Sequence, residues 1–415
     1  MSFLTRRALL SQLLFTAPPV VEDPGRHTLV CVFLRGGADT MNLIVPYADD
    51  SYYRARPTIS IKPPESGSTD KSRAVRLDDH YALHPALRPM HPLFENGRLT
   101  IVQGVGLKDN DTGSHFECQD KMEHGDSAHG LPVGGGWLGR FLRARADGKA
   151  GPLSAVAIGT KLPESLRGAP AVSVMQSIAD IAIKTPTGNP ELAAQVLAQL
   201  YGADVTLLGA QGLDTLKMFE RVRTLQTEDY KPANDARYPK DNYGGGLREI
   251  ARLIKARVGL EVACIDLGGW DTHFIQGSTE GFHASNARTL AEGLAAFDAD
   301  IKESRQDVTV LVMTEFGRRI YENSSLGTDH GRGFAAMVLS ERIRGGRVIG
   351  NWPSVVEETE ISADGVKLPV KVTGGMEIAH DYRSVFAEVL QGPMGLKKLD
   401  GVFPGFVPEK VGLIS

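Results

Sequence analysis

The sequence has 415 residues, 42 % of them hydrophobic and 23 % charged, with a formal net charge of -4. That length allows one large α/β domain or two ordinary ones, and that composition excludes a disordered chain. The small charge, with no basic block or aromatic-basic stripe, excludes a general nucleic-acid binder, and no apolar run of about eighteen residues is present to span a membrane.

The chain opens on Thr5-Arg6-Arg7-Ala8, followed by Leu9, Leu10, Leu13, Leu14 and Phe15. A charged start before a short apolar stretch is the layout of an export signal, and paired arginines point to the twin-arginine route. This predicts a signal over 1–22, read by the twin-arginine export machinery, and a periplasmic or secreted protein. The alternative is an amphipathic N-terminal helix on a cytoplasmic one. A single α/β domain is expected over 23–415.

Residues 28–34 (TLVCVFL) form a continuous apolar run, the pattern of a strand covered on both faces. The run ends at Arg35-Gly36-Gly37. Similar runs span 99–103, 259–267 and 307–314, ending at Gly104, Gly268-Gly269 and Glu315-Phe316-Gly317. Apolar spacings of three and four predict helices over about 116–124, 137–145, 191–201, 211–226, 246–257 and 285–303. Strands alternating with helices imply a mostly parallel central sheet with helices on both faces. Loop insertions are expected near 62–76 and 229–246, and a hairpin at Arg344-Gly345-Gly346. Of the three cysteines, Cys31 and Cys264 lie in apolar runs and read as buried small hydrophobes; no disulfide framework is expected.

In an open parallel sheet, ligands bind beyond the carboxyl ends of the strands, so what each run delivers at its exit is informative. The first delivers Asp39-Thr40, and the second, after a loop, Ser114-His115. The third delivers Asp271-Thr272-His273, the fourth Glu315, and the loop after it Thr328-Asp329-His330-Gly331. Carboxylates and imidazoles are ligands of Zn²⁺, Mn²⁺ and similar ions. Turn chemistry accounts for Asp and Gly at such places. It does not account for histidine at three of them. Ser114 is a candidate nucleophile at a helix start, where free N–H groups stabilise anions; with Glu117 it equally fits a capping box. Thr40 is a second candidate. Arg318 and Arg319 are candidate anion binders. His124 and His129 lie in a polar segment and could belong to a lid.

Phe33-Leu34-Arg35-Gly36-Gly37-Ala38-Asp39 resembles the opening motif of a bacterial family, domain-of-unknown-function 1501. Ser114-His115-Phe116, Gly136-Trp137-Leu138-Gly139-Arg140, Asp271-Thr272-His273, Thr314-Glu315-Phe316-Gly317-Arg318 and Gly327-Thr328-Asp329-His330-Gly331 resemble its later motifs, in order, over about 28–395. The resemblance implies an alkaline-phosphatase-like α/β fold, related to sulfatases, with a hydrolytic centre at the carboxyl edge. It implies Asp39, Asp271, His273, Glu315, Asp329 and His330 as ligands of one or two divalent ions, Zn or Mn first and Ca or Mg as alternatives. Ser114 would be the nucleophile, with His115 or Arg318 steadying charge. Where that superfamily carries an Asp-His pair, this chain has Glu315-Phe316, which puts a full two-metal centre in doubt. The expectation is an exported metal-dependent hydrolase of phosphate or sulfate esters, acting on a small-molecule or saccharide ester. The alternatives are a non-catalytic binding or assembly protein and a phosphoryl transferase or isomerase.

Overall fold

The structure is a computed structural model that describes residues 26–108, 113–125, 134–145, 151–183, 185, 188–227, 230–350 and 375–414. The expected export signal and His129 lie outside the described residues. Among the described residues no helix is long and apolar enough to cross a membrane.

Among the described residues the main sheet has nine strands: β1 (Thr28–Leu34), β2 (Leu99–Gly106), β3 (Ala155–Ile158), β4 (Ser173–Met175), β5 (Val262–Leu267), β6 (Val308–Met313), β7 (Phe334–Ser340), β8 (Arg347–Ile349) and β9 (His380–Asp381). Its order is β8-β2-β7-β6-β1-β5-β3-β4, with β9 also paired to β2. β1 lies at the centre, parallel to both β5 and β6. β7 is antiparallel to both its neighbours, β6 and β2, so it alone runs against the rest.

All seven residues of β1 are buried, and alternate ones serve opposite faces, as the two-residue strand period requires. Val30, Val32 and Leu34 enter one core, with Leu247 and Ile250 from one helix and Leu290, Leu294 and Phe297 from another. Leu29, Cys31 and Phe33 enter the second, with Trp137, Phe141, Val385 and Phe386. Two covered faces explain why the strand has no polar alternation. The helices are α1 (His115–His124), α2 (Trp137–Arg145), α3 (Pro190–Ala203), α4 (Leu207–Thr227), α5 (Asn242–Lys255), α6 (Phe282–Asp300) and α7 (Tyr382–Gln391).

The expected α/β architecture is therefore present, with three local corrections. The short strands β3 and β4 have too few residues for a periodic signal and were not expected. Arg344–Gly346 is not a hairpin turn: β7 and β8 lie on either side of β2, so the chain crosses over that strand's end. The loop expected to reach residue 246 ends sooner. Asp241 caps α5 by accepting from the Gly244 amide at 2.8 Å, and the triple glycine lies inside the helix. A Cβ at Gly246 would stand 2.6 Å from the Ile158 and Ile265 side chains, so small residues let the helix lie close on the sheet. Residues 62–74 are irregular, as expected, before a small three-stranded sheet built from Ile44–Val45, Ala82–Leu83 and Val75–Arg76.

Candidate metal centre

The carboxyl ends of β1, β5 and β6 share one edge of the sheet, and the reversed direction of β7 brings the loop before it to the same edge. His115 arrives on the first turn of α1, Asp271 and His273 follow β5, and His330 precedes β7. Close backbone approach holds these loops together. At Gly36 (φ +118°) a Cβ would stand 2.7 Å from the Asp271 nitrogen, and at Gly37 (φ +62°) 2.3 Å from the Phe316 ring. The left-handed backbone and the lack of space both require glycine.

Four groups converge. The Oδ1 of Asp271 lies 3.0 Å from His273 Nε2, 3.2 Å from His330 Nε2 and 3.4 Å from His115 Nε2. His273 Nε2 and His330 Nε2 are 2.9 Å apart. On each ring the other nitrogen is already engaged. His115 Nδ1 lies 2.8 Å from Glu315 Oε1, His273 Nδ1 3.0 Å from Asp329 Oδ1, and His330 Nδ1 2.8 Å from the Gly113 carbonyl. Carboxylate and carbonyl oxygens only accept, so each Nδ1 carries its ring's proton and donates it. Each Nε2 of a neutral ring is then a bare lone pair. Three lone pairs are thus turned on one carboxylate oxygen, and His115 Nε2 is buried without a hydrogen-bond partner.

Such a set fits a cation. Tetrahedral ligands at Zn–N and Zn–O distances stand about 3.3 Å apart, and the separations just given, 2.9 to 3.4 Å, bracket that value. His115, Asp271 and His330 each offer a ligand atom within 4.8 Å of the others; His273 is not of that group and meets Asp271 and His330 from the side.

Electrostatics agree with this assignment at Asp271 and His330 and run against it at His115. Burial pushes the Asp271 carboxyl up, but the hydrogen bond and charge of Arg318 outweigh it, and its pKa falls to about 2. Asp271 is therefore an anion at any ordinary pH. The Glu315 hydrogen bond raises His115, against burial. Burial lowers His330, helped by the charges of Arg318 and His115.

Several residues expected in the centre stand behind it instead. Glu315 is fully buried and accepts from His115, from Gln119 Nε2 at 2.8 Å, from the Gly36 amide at 2.9 Å and from Thr314 Oγ1 at 3.0 Å. Its oxygens are engaged in holding His115. Asp329 likewise holds His273 and accepts from Asn323 Nδ2 at 3.1 Å. Asp39, expected as a ligand, is fully buried and paired with Arg56 through both carboxylate oxygens, at 2.7 and 3.0 Å. Gln276 Nε2 donates to it as well, at 2.6 Å. Arg318, expected to face substrate, has no exposed side-chain surface. It donates to the carbonyls of Gly36, Gly37, Trp270 and Thr328 and to Asp271, so it ties the loops together from below.

Ser114 caps α1, accepting from the Glu117 amide at 3.5 Å. Its neighbour Gly113 holds His330, which places the serine at the margin of the centre. Thr40 is buried and donor to no ligand of the centre; it accepts from the Ala335 amide. Arg319 donates to Tyr321 Oη at 2.7 Å beside the centre, and His124 pairs with Glu164 at 3.2 Å. Phe316 packs its ring 4.8 Å from His115 and 4.7 Å from His330. The position where a second-metal imidazole was looked for is a phenyl ring that props up the first.

The profile of the family described as "Protein of unknown function (DUF1501)" matches residues 26–402. The chain belongs to the DUF1501 family. No curated protein matches this DUF1501 chain. Among solved structures it is similar to Ps i-CgsB in complex with k-i-k-neocarrahexaose, at 9 % identity and a TM-score of 0.37, covering 91 % of this chain and 74 % of that one. It is also similar to phosphonoacetate hydrolase from Sinorhizobium meliloti 1021 in complex with phosphonoformate, at 13 % identity, a TM-score of 0.29, and 71 % and 57 % of the two chains. A third is alkaline phosphatase from the Antarctic bacterium TAB5, at 9 % identity, a TM-score of 0.28, and 77 % and 94 %.

Proposed function

We propose that this DUF1501 protein is a metal-dependent hydrolase of phosphate or sulfate esters built around one divalent ion, with His115, His273, His330 and Asp271 as its ligands. The observation that carries the reading is the acceptor-only cluster: three imidazoles whose Nδ1 protons are all given away, turned on one carboxylate oxygen. Three nitrogens and one oxygen favour Zn over Ca or Mg, which prefer all-oxygen sets; Mn is the next choice. When bound, such an ion polarises an ester oxygen and lowers the pKa of an attacking hydroxyl or water.

The chain's own groups supply the rest. Glu315, Asp329 and the Gly113 carbonyl fix ring orientation and the tautomer in which a neutral ring presents a bare Nε2, the usual task of partners behind metal-bound histidines. Arg318 keeps Asp271 ionised and aimed. Ser114, at the N-terminus of α1, is the hydroxyl proposed to attack, where the positive end of the helix dipole favours developing negative charge. Arg319 is the cation proposed to meet the anionic head of the ester. The protein is proposed to act outside the cytoplasm, on the strength of the paired arginines at its start.

One observation favours a second reading. Four protein ligands complete a tetrahedral zinc shell, as in structural sites, whereas catalytic sites keep a position open. The Asp271 side chain is 48 % exposed, so a fifth position on that face is open to solvent. Elemental analysis with an ester screen separates the readings. About one equivalent of Zn or Mn with turnover of a phosphate or sulfate ester, lost in Ser114→Ala, supports the hydrolase. One equivalent without turnover of any ester supports a binding protein, and less than about half an equivalent removes the metal centre itself.

A further inference from the structure

The loops that carry the metal centre bury a set of polar side chains in hydrogen bonds to the protein itself. Gln276 is fully buried; its Oε1 accepts from Thr272 at 2.9 Å and from Thr328 at 2.8 Å, while its Nε2 donates to Asp39. Asn323 donates to the His273 carbonyl and to Asp329, and accepts from the amides of Ser325 and Gly327. Trp270, Phe316 and Ile320 are buried, but several apolar side chains of these loops and of the helix starts beside them face solvent. Phe274 is 71 % exposed, Ile275 68 %, Phe282 70 % and Leu326 45 %, and Phe116, next to His115, is 88 % exposed.

The backbone adds a second observation. The amides of Ile275 and Gln276 donate to the carbonyls of Ser325 and Leu326, both at 2.9 Å, so the two loops lie side by side. At this seam Ile275 has φ +43° and Leu326 φ +58°. A β-branched residue in the left-handed region is strained, and here the strain brings no burial in return. Strain and exposed apolar surface at the mouth of a polar centre together mark a place where something apolar sits.

We propose that this rim seats an apolar group of the substrate, an alkyl chain or aryl ring joined to the ester whose anionic head faces the metal centre. The inference rests on the hydrolase reading and narrows its substrate class to amphiphilic esters. Of the polar side chains beneath this rim, Gln276, Thr272, Thr328 and Asn323 are committed to the protein. The Phe274 ring centroid is 6.4 Å from that of His273, so a group bonded directly to the ester oxygen reaches the rim.

The test is calorimetric titration of the metal-loaded full chain with methylphosphonate, octylphosphonate and phenylphosphonate, whose C–P bond stands in for the scissile ester. Octyl or phenyl binding at least about tenfold tighter than methyl is expected from burial of the added carbons. Octyl ahead of phenyl identifies an alkyl source and phenyl ahead of octyl an aryl one; either supports the rim. Glycine suits the backbone at both strained positions, so Ile275→Gly with Leu326→Gly folds, and the preference over methyl should shrink at least about threefold. Equal binding of the three probes overturns the proposal. So does a preference that survives the double variant, or sedimentation showing a dimer that loses its association in that variant. Tenfold preference without turnover of any ester sinks the hydrolase reading and leaves the rim; turnover of methyl phosphate with equal affinities does the reverse.

Discussion

His273 and His330 hold their Nε2 atoms 2.9 Å apart while each gives its Nδ1 proton to an oxygen. Two lone pairs at that distance repel, and Asp271 Oδ1 beside them adds a negative charge. A cation reverses the sign of all these contacts at once. Purified protein is therefore expected to carry one equivalent of Zn or Mn, and His330→Ala or Asp271→Ala to lose it, as read by elemental analysis. Glu315→Gln keeps all four ligands but loosens the grip on His115, so chelator competition should show metal affinity lowered about 10- to 100-fold. Unchanged affinity in that variant would mean that Glu315 does not orient the ring.

The strand exits were legible because turn-forming residues and hydrophobic runs are local signals, and His115, Asp271, His273 and His330 all follow or precede such runs. What could not be read was the division of labour among neighbours. Glu315 and Asp329 are the same residue types as a metal ligand, and only the fold shows that their oxygens are turned on His115 and His273. Asp39 was misassigned for a similar reason. Its partner Arg56 lies seventeen residues on, in a segment with no periodic pattern, and an ion pair between them leaves no sequence signature. The capping role of Ser114 was legible from Glu117 three residues later. The missed partner Gln119 had a weak signal available: it lies four residues after His115, on the same face of α1.

Asp39 and Arg56 supply a prediction that separates structure from chemistry. Burial pushes the Asp39 carboxyl up, but the Arg56 guanidinium outweighs it and holds it below the usual range. Asp39→Asn leaves Arg56 buried without its countercharge, a change that costs about 3–5 kcal/mol. The unfolding free energy from urea titration should fall by that amount while metal content per folded molecule stays near one. Loss of metal with stability intact would restore Asp39 to the ligand set.

Gly37→Ala tests the support beneath the rings. Its Cβ would stand 2.3 Å from the Phe316 ring, on a backbone with φ +62°, so the ring must move. Phe316 packs against both His115 and His330. Strain and displacement together should cost on the order of 2 kcal/mol or more, with a parallel fall in metal affinity. A loss of stability alone, with affinity kept, would show that the phenyl ring does not position the imidazoles.

A buried histidine pair behind the centre contributes to the loss of stability in acid. His84 and His283 lie with ring centroids 6.0 Å apart, and burial lowers the pKa of each to about 4. His283 Nε2 donates to the Asp39 carbonyl; the charges acting on the ring are those of Asp39, Arg56 and Arg318, and His84 also feels Arg288. Both rings are neutral when folded, whereas the unfolded chain protonates them near pH 6.5. The unfolded state thus binds more protons between about pH 6.5 and 4, and stability falls as pH is lowered through that window. The loss should reach on the order of 2 kcal/mol per ring by pH 5. Urea titrations at pH 7.5, 6.5, 5.5 and 5.0 would read it. His84 Nδ1 accepts from the Ala86 amide at 3.0 Å, a capping contact that asparagine can replace, so His84→Asn should keep the fold and remove that ring's share of the slope, on the order of 2 kcal/mol by pH 5. His283 and His27, the latter lowered to about 3, keep theirs. An equal urea midpoint at pH 7.5 and 5.0 in the unaltered chain would show that these rings are not held neutral.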